Sequence, residues 1–570
     1  MAKTQYIGKP ATRVDALEKV MGTAKFVADY SVPNMLVSRC LRSTLPHARI
    51  ISIDITAAKN MPGVRAVITS EDFVNHSRFG FPIEDMFMLA YQRVRFVGDP
   101  IVAIAADNED TLQAALAAVK VVLEPLPGVF DPRIALQPDA PLVGENPRDA
   151  EGHPRGNLVI DYIVRQGDPD AVLRDCDITV EAEYTTMHQE HAYLETEGAL
   201  AIPWPDSRGV TIYAPCQSPF IAKNNVIKTI GLEQEDVRVI QPYVGGAFGG
   251  KDDTMYQTAT QVAKLALVSG QPVQMLFSRE ESMIASYKRD AMVMQLKVGA
   301  NKDGTLQACK FHGIVDSGAY SAITPFTAWR SSIHAMGPYR YQACAVDTDV
   351  VYTNNGYAGA FRGFGNTEVC YAIELAVDEI ASRLKMDPID LRLNNCLRPF
   401  DTTSHGQRLG EDVAIAECLE QVRKISDWDR RRKEIPQGDP QQIRPGEFRH
   451  GIGVAGVFHG ISLGAEGKDF AAGTLRINED NTLTLTSGLT DYGAGSRTVY
   501  TLIAAETLGI NPNRIHMLRP DTDTALDSGP TVASRATIMG GNATQVAAMR
   551  LDTILLTAAA GLFHCQMVEV

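Results

Sequence analysis

At 570 residues and 62.0 kDa the chain exceeds what one hydrophobic core organises, and about 150 residues per domain gives an expectation of roughly four domains. Hydrophobic residues make up 45% and charged residues 21%, ordinary globular values that exclude wholesale disorder. Lys plus Arg number 54 and Asp plus Glu 68, and the net charge of −14 argues against nucleic acid as the ligand.

No uninterrupted apolar run approaches the roughly 18 residues of a membrane span. The N-terminus, MAKTQYIGKP, lacks a signal-peptide core. The expectation is a cytoplasmic protein without membrane contact. The nine cysteines are scattered and form no C-x-x-C pair. They read as buried reduced thiols, and iron–sulfur or zinc sites find no support in this chain.

In chain order, Ile101 to Ala106 reads as a buried strand. Asp110 to Leu123 reads as a helix with Leu112, Ala115, Leu116 and Val119 on one face, stopped by Pro125. Residues 131–155, rich in Pro, Asp and Gly, read as a connector. Val237 to Ile240 is a short strand, followed by a helix from about Thr254 to Val268. Met292, Met294, Leu296 and Val298 alternate with polar neighbours, and Asp303-Gly304 turns that strand into a hairpin. Asp347 to Thr353 is a strand, and Thr367 to Leu384 an amphipathic helix closed by Asp387-Pro388. Residues 426–448 are charged and Pro-rich, a linker pattern. Leu475/Ile477 and Leu483/Leu485 flank another turn, Val499 to Leu508 is a helix, and 543–562 is helical.

Four glycine-bearing loops carry the candidate chemistry. The first is Gly245-Gly246-Ala247-Phe248-Gly249-Gly250-Lys251, between a strand and a helix. Clustered glycines let backbone N–H groups approach a ligand, and a helix N-terminus favours an anion. The spacing nearly satisfies the nucleotide P-loop, but Asp252 stands where that motif needs a magnesium-holding hydroxyl, which excludes an ATPase. The second, Gly356 to Gly365, repeats the layout. Its Arg362 is a planar cation and its Phe364 an aromatic face. The third is Asp491-Tyr492-Gly493-Ala494-Gly495-Ser496, and the fourth is Asp527 to Arg535. Singly each also fits a packing turn, an N-cap or an internal ion pair. Together they suggest one large anionic cofactor. There is no G-x-S-x-G and no H-E-x-x-H. His188, Glu190 and His191, in HQEHAYLETE, fit no zinc spacing and read as strand-edge polar residues.

The strings GGAFGGK, GAFRGFG, HQEHAYLETE, DYGAG and DSGPTVASR, in this order, resemble the molybdenum hydroxylases. The likeness is to the molybdopterin-binding subunit of the xanthine dehydrogenase and aldehyde oxidoreductase family. Upstream, KVMGTAKF, LPHA and RFVGDP fit as well, and the likeness covers nearly the whole chain. It implies an α+β protein. An α/β hammerhead domain would span 1–130, a connector 131–155, a first molybdenum cofactor domain 156–400, a linker region 401–448 and a partial second cofactor domain 449–570. It implies a molybdenum–molybdopterin, often a cytosine dinucleotide in bacteria. The reaction implied is hydroxylation of an electron-poor carbon with oxygen from water. Electrons would pass to 2Fe-2S and FAD centres, whose motifs are absent here and which are expected on an iron–sulfur subunit and an FAD subunit.

Residue by residue, the resemblance puts Gln217 opposite the metal oxo group and Phe248 and Gly249, with Gly246 and Ala247, over the molybdenum. Ala360, Phe361 and Arg362 approach metal and pterin. Gly493, Gly495, Ser534 and Arg535 belong to the cofactor loops. Gln217 and Arg362 are the implied catalytic pair; with Phe248 they lie near the metal without ligating it. Phe364 stacks on substrate, Asp252 takes the place of a substrate-orienting glutamate, and Arg330 that of a substrate arginine; a surface arginine is the alternative for Arg330. A purine-like N-heteroaromatic substrate follows. The carbon monoxide branch, with a cysteine in the arginine loop, is excluded. Alternatives are an aldehyde or aromatic acyl-thioester substrate, or a non-catalytic assembly protein. Two departures stand out: Ala494 replaces a glutamine, and the family's late G-x-G-E segment with its base glutamate does not occur, Glu569 lacking that context. The expectation is a second polypeptide completing the cofactor domain, or a product inactive alone.

Overall fold

The computed structural model describes residues 4–145, 147–206, 208–435, 448, 450–464 and 467–567. A seven-stranded mixed sheet runs in the order Val237–Ile240, Val210–Tyr213, Gly198–Pro203, Val273–Leu276, Leu36–Arg42, Pro100–Ala106 and Val64–Ile68. Leu36 to Ser38 pair in parallel with Val273 to Met275, so one hydrogen-bonded sheet spans the region expected to be a domain boundary. Buried on both faces, Pro100–Ala106 is apolar throughout.

A second sheet orders Ile178–Thr185, Ala291–Ala300, Leu306–Gly318, Ala343–Tyr352 and Leu158–Gln166. The hairpin at Asp303-Gly304 sets Met294 opposite Gly313 and Val298 opposite Cys309. Met292, Met294, Leu296 and Val298 all enter a core completed by the helix Asn366–Leu384. The C-terminal part holds a three-stranded sheet, Gly473–Ile477, Leu483–Ser487 and Ile515–Met517, with the helices Ser496–Leu508 and Gly541–Phe563.

Three expectations need correction. The helix expected over 110–123 spans Glu109–Ala118, capped by Asn108, and Lys120–Pro125 is a strand antiparallel to Ala48–Asp54. The β-branched Val119, Val121 and Val122 favour that pairing over a further helical turn. Pro388 does not merely close a helix; it opens the next, Pro388–Asn395, capped by Asp387. Within the expected linker 426–448, Trp428–Glu434 is helical, and Trp428 is buried and donates to Asp387 at 2.9 Å; residues 436–447 lie outside the described residues. Separately, residues 536–563 form one helical stretch long and apolar enough to cross a membrane by length and composition, with little of it fully buried. Arg550 and Asp552 are its only charged residues, and Asn542, Gln545 and several threonines also interrupt the apolar run.

Candidate functional site

Three of the four loops meet at Gln217, and the second docks on the first. Its backbone N–H donates to Lys251 O at 2.9 Å, tying it to the end of the first loop. Its carbonyl accepts from Thr531 N at 3.1 Å and from Thr490 Oγ1 at 3.1 Å, tying it to the fourth and third. Thr490 N donates to Thr531 Oγ1 at 2.7 Å and Tyr492 Oη to Thr531 O at 2.9 Å, which joins those two loops directly. The second loop docks on the first: Arg362 N donates to Phe248 O at 2.8 Å. Phe248, Arg362 and Ser534 are all exposed on these loops.

Strain accompanies this convergence. Phe248 (φ 53°), Phe364 (φ 49°), Ala533 (φ 50°) and Ser534 (φ 53°) all sit in the left-handed region. Such residues persist only where the surroundings over-determine the backbone, and they gather at functional sites. Gly249 at φ 101° shows why glycine is required: a Cβ there would stand 2.7 Å from Ala360 O. Gly249→Ala is expected to part the first two loops and destabilise their contact by about 1–3 kcal/mol. Limited proteolysis within 360–365 checks this, and wild-type resistance would contradict it.

Beneath the loops lies the segment His188 to Glu197, read from sequence as a strand edge. The structure corrects that reading. His191 is buried, its Nε2 sits 2.7 Å from Ala360 O, and its ring meets Phe361 edge-on at 4.4 Å. Burial pushes His191 down to about 4, so the neutral ring donates to that carbonyl. Glu195 accepts from Gly245 N at 2.8 Å and pairs with Lys251 Nζ at 2.6 Å. Arg289 bonds Arg362 O at 2.8 Å, pairs with Glu368 at 2.9 Å and lies 4.2 Å from the Phe361 ring centroid. No role was read from sequence for Glu195, Arg289, Thr490 or Thr531, although Glu195 and Thr531 lay in quoted strings.

Gln217 is 2% exposed. Its Nε2 donates to Asp252 Oδ2 at 3.0 Å and to Thr531 O at 3.4 Å, and its Oε1 has no partner. An unpartnered buried carbonyl oxygen at the junction of three glycine-bearing loops fits a bound polar group. Asp252 also accepts from Tyr256 Oη at 2.5 Å, so both its oxygens are engaged inside the protein. Arg330 is buried in the helix Thr324–His334 and donates to Gly460 O and Ser462 O, which removes the surface-arginine alternative.

Arg535 is fully buried and donates to Asp469, Ser528 O, Pro530 O and Phe470 O. All three guanidinium nitrogens are engaged within the protein, so the Arg535 side chain braces the fourth loop. In the third loop Asp491 accepts from Gly493 N at 3.0 Å and Gly495 N at 3.1 Å, while Arg13 donates to Gly493 O at 2.9 Å.

Burial pushes the Asp252 carboxyl up to about 7 and that of Asp253, with Asp252 adding to it, up to about 8. The folded chain holds both protons above the pH near 4 at which an unfolded aspartate loses them. Their contribution to stability is complete below that pH and is lost as pH rises through 7 to 8. Asp253→Asn is expected to shrink the fall in melting temperature between pH 5 and pH 8; an unchanged fall would contradict it.

A family description, "Molybdopterin cofactor-binding domain", matches residues 152–396, and a second model of the same description matches 421–570. "Aldehyde oxidase and xanthine dehydrogenase, a/b hammerhead domain" matches 21–127. The chain is 34% identical over 540 residues to a probable xanthine dehydrogenase subunit of Bacillus subtilis, covering 95% of this chain and 70% of that protein. It is 39% identical over 421 residues to the "Nicotinate dehydrogenase large molybdopterin subunit" of Eubacterium barkeri, covering 74% of this chain and 96% of that one. Among solved structures, CO dehydrogenase from Oligotropha carboxidovorans superposes with a TM-score of 0.85 at 25% identity, over 99% of this chain and 73% of that one. A hammerhead region followed by molybdopterin-binding regions, with homology along nearly the whole length, makes this chain a molybdopterin-binding subunit of the molybdenum hydroxylase family.

Proposed function

We propose that the chain serves an oxidoreductase that hydroxylates an electron-poor carbon of a purine-like N-heteroaromatic compound, with water as the oxygen source. Electrons leave to 2Fe-2S and FAD centres on partner subunits. The observation that carries the reading is the junction at Gln217, where three loops meet around an unpartnered side-chain oxygen and the second loop docks beside them. When bound, a molybdenum–molybdopterin, in the dinucleotide form or not, supplies two-electron redox chemistry and the oxygen drawn from water.

The chain's own residues hold and orient. Gly246, Ala247, Phe248 and Gly249 from one side, and Ala360, Phe361 and Arg362 from the other, close on the pterin. Ser534 would offer it an exposed hydroxyl, and Gly493 and Gly495, whose N–H groups Asp491 holds, would shape the third loop beside it. Gln217 directs its amide to the reacting side, and the exposed Arg362 supplies positive charge there. Phe364 offers an aromatic face to a flat ring. Asp252, poised near neutrality, turns from hydrogen-bond donor to acceptor over the physiological range.

The relatives favour an N-heteroaromatic: those at 34% and 39% identity are named for xanthine and nicotinate. The test is molybdenum content and dye reduction by the purified chain with its partner subunits. Stoichiometric molybdenum with xanthine- or nicotinate-dependent reduction supports the reading. Reduction with benzaldehyde alone points to an aldehyde oxidoreductase. A metal-free protein without turnover in the complete complex overturns it in favour of a non-catalytic role.

A further inference from the structure

We propose that Arg330 is a positioning residue that shapes the fourth cofactor loop through the segment 456–462. Its functional consequence rests on the molybdopterin reading above; its structural consequence does not.

Arg330 is 4% exposed. Its Nη1 donates to Gly460 O at 3.1 Å and its Nη2 to Ser462 O at 3.0 Å. The planar fork of a guanidinium matches two carbonyls two residues apart on one segment, and a lysine ammonium does not. Among the described residues, 456–462 joins no sheet. Its main chain is instead satisfied by side chains of the first cofactor region. Glu374 accepts from Gly456 N at 2.7 Å, Asn366 donates to Phe458 O at 2.8 Å, and His334 Nε2 accepts from Gly460 N at 3.1 Å. His334 Nδ1 lies 2.7 Å from Arg330 O, which fixes the tautomer that leaves Nε2 free to accept. Gly460 lies so close that a Cβ would stand 2.4 Å from Arg330 Nη1.

The far end of the segment reaches the cofactor loops. Ser462 N donates to Ala533 O at 2.7 Å, and Ser462 (φ 64°), Ala533 (φ 50°) and Ser534 (φ 53°) are all left-handed. Three such non-glycine residues in contact need outside restraint. Arg330 supplies it by gripping the carbonyl of the residue whose N–H holds Ala533.

Amide hydrogen exchange on the full chain tests this without any cofactor. Arg330→Met is expected to speed exchange at least about tenfold, the factor for losing about 1.4 kcal/mol, across 457–463 and 531–535, with 245–252 unchanged. Arg330→Lys is expected to restore only part of the protection. His334→Ala, which removes the acceptor for Gly460 N and leaves Arg330 in place, is expected to loosen the same two segments. In the assembled enzyme, Arg330→Met is expected to lower molybdenum per chain. Wild-type exchange in either variant overturns the proposal, as does full molybdenum content in Arg330→Met. A metal-free wild-type protein would defeat the molybdopterin reading and leave the exchange result standing.

Discussion

Lys251→Met is expected to destabilise the first cofactor loop by about 3–5 kcal/mol, the usual consequence of leaving one member of a buried ion pair alone. Lys251 is 0% exposed, its Nζ is 2.6 Å from Glu195 Oε2, and it lies 5.0 Å from the Tyr193 ring centroid. Burial lowers the lysine's pKa, so the charged form is held by its partner and not by solvent. Glu195 meanwhile accepts from Gly245 N at 2.8 Å, so the pair anchors both ends of the GGAFGGK loop. Without the ammonium, a carboxylate stays inside with only backbone donors. Exchange of amides 243–252 in the variant should quicken by two to three orders of magnitude, about 1.4 kcal/mol for each tenfold. Glu195→Gln combined with Lys251→Met should recover more than half of the loss, because no charge is then left buried. A single-variant effect under about 1 kcal/mol would mean that the pair does not anchor the loop.

Gln217→Leu is expected to reduce turnover about 100- to 1000-fold, the range for removing one preorganised polar group from a reacting centre. The fold should survive, since Gln217 joins the loops through its main chain: to Lys251 O, from Thr531 N and from Thr490 Oγ1. The side chain is redundant for that junction, and its Oε1 has no protein partner. Loss of the Nε2 bond to Asp252 carries a cost of about 1–3 kcal/mol, softened because Asp252 keeps Tyr256. The measurement is kcat with xanthine at matched molybdenum content. Turnover within threefold of wild type would remove Gln217 from the reacting centre.

Much of this was legible in the sequence because it is local. The alternation from Met292 to Val298 and the turn at Asp303-Gly304 sit within about twenty residues, and the strands form as read. The four loops were visible because glycine clusters beside helix starts leave a compositional mark. Val119 to Pro125 was not legible: a helical pattern fits it locally, and its partner strand Ala48–Asp54 lies far upstream. His191 and Glu195 were visible as residue types, yet nothing nearby in sequence says that Ala360 O and Gly245 N lie above them.

The sequence alone determined the loop chemistry, the exclusion of a nucleotide P-loop at Asp252 and the family likeness, since each depends on residue type and short spacing. Only the tertiary structure decided which of these residues are exposed and which are engaged by the protein's own backbone. Arg330, Arg362 and Arg535 are chemically identical and all sit beside glycine-bearing segments. Arg362 is exposed, whereas Arg330 and Arg535 are engaged by backbone carbonyls. That difference arises from long-range packing, because a buried guanidinium must find acceptors wherever the fold brings them, and the chain supplies these across 130 and 132 residues for Arg330 and across 5 to 66 for Arg535.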